Sequence, residues 1–81
     1  MGTNQITVNA DWDPEAKVWV ASSDDVHGLV TEADTVEALA EKLSVMIPEL
    51  LEANGTFAGN AVRQVPINLI ARREQFISLR D

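Results

Sequence analysis

Residues 34–55 read DTVEALAEKLSVMIPELLEANG, and this stretch decides the architecture. Val36, Leu39, Ala40, Leu43, Met46, Ile47, Leu50 and Leu51 recur at i, i+3, i+4 and i+7. That spacing gathers side chains into one stripe of an α-helix. Glu37, Glu41, Lys42, Glu49 and Glu52 fall mostly off the stripe. Asp34 is the predicted N-cap, and Glu37 three residues on completes a reciprocal capping pair for the free N–H groups of the first turn. Asn54-Gly55 predicts the stop, because glycine enters the left-handed conformation that ends helices. Pro48 is discordant. It has no N–H, and its ring presses on the carbonyl of Ser44, so a kink or break is expected near Val45–Pro48.

A one-sided helix must lie on something, and the flanking residues read as strands. Upstream, Ile6-Thr7-Val8-Asn9-Ala10 alternates, with Ile6, Val8 and Ala10 on one face and Trp12 continuing the phase. Asp13-Pro14-Glu15-Ala16 has type I turn chemistry. Val18-Trp19-Val20-Ala21 is the return strand of a hairpin with a loop of about five residues. Ser22-Ser23-Asp24-Asp25 reads as loop, Gly28 as a tight change of direction, and Leu29-Val30-Thr31-Glu32 as a third strand. Downstream, Thr56–Ala61 reads as a small-residue loop. Val65–Ala71 resumes β alternation, with Pro66 at an edge or a strand start. Ile70 and Phe76 are out of phase with Ile67 and Leu69, which predicts either a strand covered on both faces or a bulge near Arg72–Gln75.

The expected fold is therefore α+β: one domain spanning 1–81, order β-β-β-α-β, an antiparallel sheet with one helix packed on one face. Ile6, Val8, Val18, Val20, Ile67 and Leu69 are expected to receive the helix. Trp19, Ile70 and Phe76 then point away and form an apolar patch, which predicts a homo-oligomer whose contact includes this sheet face or the final strand.

Composition narrows the function. With no cysteine, disulfides, thiolate nucleophiles and cysteine-based zinc sites are excluded. A net charge of −7 argues against nucleic acid, whose phosphates demand a basic face. The charge is also uneven. Residues 1–61 hold eleven acids against two lysines, or −9, whereas residues 62–81 hold four arginines against two acids, or +2. No apolar run approaches the ~18 residues of a membrane span, and the first residues lack the pattern of a secretory leader, so a cytoplasmic protein is expected.

No catalytic constellation stands out. Asp11, Asp13, Asp24 and Asp25 are carboxylates of the kind that hold Mg²⁺, but turns attract aspartate for backbone reasons. His27 is the single histidine and lacks the companions a zinc site needs. The expectation is a protein that is not an enzyme and carries no metal or cofactor.

Several segments together resemble small HicB-like proteins. Ala10-Asp11-Trp12-Asp13-Pro14-Glu15-Ala16 followed by Val18-Trp19-Val20-Ala21 is similar to their first hairpin. Asp24–Ala33 resembles the acidic loop and third strand that follow, and Asp34-Thr35-Val36-Glu37-Ala38-Leu39 the helix start. Ile47-Pro48-Glu49-Leu50-Leu51 is similar to a stand-alone branch of that group. The resemblance covers most of residues 6–55. It implies a degenerate RNase H-like fold without catalytic acids. It also implies an antitoxin that sequesters a small basic mRNA-cleaving toxin of HicA type and assembles as a homodimer or homotetramer. The residues expected to meet such a partner are Asp11, Asp13, Asp24 and Asp25, with Trp12 and Trp19 as anchors. Two departures stand out. His27 occupies a position where proline is usual, and no DNA-binding module is read after Gly55, so DNA binding is not expected. The alternative is a stand-alone oligomeric scaffold or ligand-binding protein of the same fold with no toxin partner.

Overall fold

A computed structural model of the chain describes residues 5–55 and 65–79. The loop expected at Thr56–Ala61 lies outside the described residues. The elements are β1 (Ile6–Asp13), β2 (Val18–Ser22), β3 (Val30–Ala33), α1 (Val36–Ala53) and β4 (Ile67–Arg72). The fold is α+β in the expected order, a four-stranded sheet ordered β3-β2-β1-β4 with the helix on one face.

The sheet is mixed rather than antiparallel throughout. β1 pairs antiparallel with β2, and β2 with β3, but β4 runs parallel to β1, Ile6 opposite Ile67 and Val8 opposite Leu69. Connectivity explains the direction. The two antiparallel pairings leave β3 parallel to β1, and α1 carries the chain back across the sheet, so β4 emerges parallel to both. Pro66, which has no N–H to give to a ladder, immediately precedes β4, and its carbonyl accepts a hydrogen bond from the Ile6 N–H (3.0 Å).

The hairpin loop has four residues, Pro14–Lys17, and sets Asp13 opposite Val18 and Trp12 opposite Trp19. One residue fewer than expected inverts the return strand, because a shift of one residue exchanges the two faces. Trp19 and Ala21 accordingly join Ile6, Val8 and Ala10 on the helix side, and Trp19 packs against the core. Val18 and Val20 take the open face, the reverse of the arrangement expected for both residue pairs.

Helix packing selects a narrower stripe than the sequence suggested. Leu39, Leu43, Ile47 and Leu51 are buried at strict i+4 intervals, whereas Ala40 is exposed. The N-cap is Thr35, not Asp34. Thr35 is extended (φ −133°, ψ 159°) and its hydroxyl oxygen accepts from the Ala38 N–H at 3.0 Å. Position N3 is then Ala38, so Glu37 has no reciprocal capping role, although it still lies in the first turn where negative charge is favoured. The helix continues through Pro48 without a break. Pro48 and Ser44 are both exposed, so water can hydrogen-bond the carbonyl that proline leaves unpaired. At the other end Gly55 adopts φ +70° and donates to the Glu52 carbonyl at 3.1 Å, the expected left-handed stop.

The core is completed by a loop. Val26 and Leu29 are buried beneath the helix while the intervening His27-Gly28 stay outside. Gly28 has φ +88°, and a Cβ there would stand 3.7 Å from Leu50, so backbone angle rather than space demands glycine. Among the described residues neither alternative for the last strand is met: pairing stops at Arg72 with no bulge, and β4 is not covered on both faces, since Ile67 is 40% exposed. Arg73–Leu79 lie exposed.

Candidate interaction surfaces

The six residues singled out by the sequence fall into three structural settings. Asp13 and Asp25 are held by backbone donors. Asp13 Oδ1 accepts from the N–H groups of Glu15 (3.0 Å) and Ala16 (3.2 Å), and its carbonyl accepts from Lys17 (2.7 Å). That closes the hairpin. Asp25 Oδ2 accepts from the Thr7 N–H at 2.9 Å, and the Asp25 N–H donates to Ser23 Oγ at 3.0 Å. Ser23 in turn donates its hydroxyl to the Thr7 carbonyl at 2.6 Å. This small network ties the acidic loop to the edge of β1 where β2 has ended. From its other side, Asn54 Nδ2 donates to the His27 carbonyl at 3.1 Å, joining the same loop to the helix C-terminus.

Trp12 and Trp19 form the second setting. Their rings meet edge to face, with centroids 5.4 Å apart and planes at 61°. The Arg73 guanidinium lies over Trp12 at 4.4 Å from its centroid. Both indoles thus belong to the helix-side face, not to the open one.

Asp11 and Asp24 form the third. Both are exposed, Asp11 on the open sheet face and Asp24 in the loop. The acids do not converge. Asp25 is anchored at Thr7 and Asp11 lies four residues along the same strand, about 14 Å at the usual rise. Among the described residues no group of three His, Asp or Glu side chains is placed to hold a metal ion.

The open face is only partly legible in the sequence. Register puts Val18, Val20, Val30 and Ile70 on it together with Thr7, Asn9, Asp11, Ser22, Glu32 and Arg72. Val18, Val20 and Ile70 are half-buried, and Val30 is 67% exposed. The row Arg72–Asp11–Val20–Glu32 crosses all four strands, so Val20 has acids on both sides, while Ile70 on β4 is set apart from the valines by Asn9 and Asp11 of β1. Ile70 stands there as expected. The valines escape sequence reasoning because their placement depends on the hairpin register.

With this geometry in view, comparison with known proteins is informative about kinship. A family model described as a domain of unknown function, DUF1902, matches residues 5–78. The chain belongs to that family. Its DUF1902 fold is also similar to the crystal structure of a hypothetical protein from the extremely thermophilic bacterium Thermus thermophilus. The two share 47% identity, the match covers 93% of this chain and 99% of that one, and the TM-score is 0.66. A comparison with curated proteins finds no match. Among the described residues of this DUF1902 chain, no helix is long and apolar enough to cross a membrane.

Proposed function

We propose that the chain is a partner-binding protein of antitoxin type, holding a small basic mRNA-cleaving protein of the HicA kind against its open sheet face. What supports the reading is that face itself: half-buried Val20 lies between the exposed carboxylates of Asp11 and Glu32, with half-buried Val18 two residues along the same strand. Valines flanked by acids suit a basic partner, since charge steers the encounter and apolar contact holds it. Asp24, in a loop pinned to both β1 and α1, extends the same potential. The resemblance of the hairpin and acidic loop to HicB-like proteins points the same way. In this reading Asp11 and Asp24 meet the partner, Asp13 and Asp25 keep their loops in shape, and Trp12 and Trp19 serve the fold.

The test is binding of the purified chain to short basic proteins encoded beside its gene, with RNA cleavage by each as the second readout. Association with one of them and loss of its cleavage activity are expected. Asp11→Lys with Asp24→Lys should slow association roughly tenfold at low ionic strength and flatten its salt dependence, with little change in dissociation. Absence of micromolar binding to every such neighbour would end the antitoxin reading.

A further inference from the structure

Asn54 differs chemically from the other asparagines of the chain. Asn4, Asn9, Asn60 and Asn68 precede Gln5, Ala10, Ala61 and Leu69, and Asn54 alone precedes a glycine. The carboxamide of an asparagine is open to attack by the backbone nitrogen of the next residue, and a successor without a Cβ obstructs that attack least. Both residues are exposed, and a Cβ added at Gly55 would meet nothing within 4 Å, so water reaches the pair freely.

The same carboxamide carries a tertiary contact. Asn54 Nδ2 donates to the His27 carbonyl at 3.1 Å and ties the loop to the end of α1, while Ser23 and Asp25 tie it to β1 through Thr7. An ionised carboxylate in that place has acceptors only, and would set an oxygen against the His27 oxygen. It would also add negative charge where the helix dipole is already negative and the last turn holds no basic residue. Deamidation therefore removes the contact and opposes its return.

The folded backbone slows this reaction without forbidding it. Asn54 sits at φ −82° and ψ −2°, and the Gly55 N–H donates to the Glu52 carbonyl at 3.1 Å. Ring closure needs that nitrogen freed and Asn54 ψ rotated far from its present value. Opening of the last helical turn supplies both, and helix ends open at far lower cost than the whole fold.

We propose that Asn54 is a one-way modification site whose deamidation unlatches the His27 loop from α1. The Gly55 nitrogen gives its proton to hydroxide and bonds to Asn54 Cγ. The Cγ–Nδ2 bond breaks, and ammonia leaves with a proton taken from water. A second water opens the resulting succinimide on either side, leaving aspartate or isoaspartate. In sum one water enters and one ammonia departs, with no change of oxidation state. The latch belongs to the chain alone and holds with or without a toxin partner.

Ageing the full chain in its folded state at mildly alkaline pH, followed by peptide mass mapping, tests the site. A gain of one dalton is expected at Asn54 at least about tenfold faster than at any other asparagine, and no such gain in Asn54→Gln, whose longer side chain closes a larger ring far less readily. Hydrogen exchange tests the latch at Leu29, whose amide donates to the Val26 carbonyl at 3.1 Å. Asn54→Asp and Asn54→Ala are both expected to speed exchange there about tenfold, with amides of β1 and β2 unchanged. Modification of the folded chain no faster at Asn54 than at the other asparagines would overturn the site. Unchanged exchange at Leu29 in Asn54→Asp, or an increase shared equally by β1 and β2, would overturn the latch.

Discussion

At the scale of single residues, backbone geometry decides roles that residue type leaves open. Asp34 and Thr35 both have N-cap chemistry, and the sequence favours the aspartate because Glu37 stands three residues beyond it. The structure uses Thr35, because the extended residue is the one immediately before Val36. Thr35→Ala is expected to cost about 1 kcal/mol, read as a lower urea midpoint with unchanged slope, whereas Asp34→Ala should cost less. Lys17 closes the hairpin at φ +60°, a conformation that L side chains adopt at a cost. Lys17→Gly is expected to raise stability by about 0.5–1 kcal/mol in the same titration. Asp13 and Asp25 illustrate a limit of reading chemistry from residue type. A carboxylate serving a backbone N–H and one awaiting a partner look alike in sequence, and only their hydrogen bonds separate them.

At the scale of elements, the helix is legible because its signal is local. Leu39, Leu43, Ile47 and Leu51 are one turn apart and share a face wherever the helix lies. Pro48 misleads because its cost depends on its surroundings. On the exposed side, water can pair with the freed carbonyl, and packing of the buried leucines on the other side keeps the helix running. Pro48→Ala is accordingly expected to stabilise the protein by roughly 1–3 kcal/mol, seen as a higher melting temperature. The return strand is a strand as its residues predict, but it faces the other way. Both outcomes have one cause: strand propensity is local, but the side on which Trp19 emerges depends on whether the loop holds four residues or five.

At the scale of the whole molecule, the uneven charge of the chain acquires an address. Asp11 and Glu32 lie on the open face and Asp24 in the neighbouring loop, while Arg72 ends β4 and Arg73 follows it. The Asp11→Lys, Asp24→Lys protein should lose steering toward a basic partner yet keep its fold, read as an unchanged far-ultraviolet circular dichroism spectrum.

The sequence by itself determined the order of elements, the helix and its buried leucines, the glycine stop, the absence of thiol chemistry and the asymmetry of charge. Each follows from neighbours within a few residues, or from counting. Only the tertiary structure decided that β4 runs parallel to β1, that both tryptophans face the helix side while the valines of β2 face outward, and that Phe76, Ile77 and Leu79 leave the body altogether. Those outcomes depend on how distant segments align. A register change of a single residue, or the direction in which one helix returns the chain, reverses them without altering any local propensity.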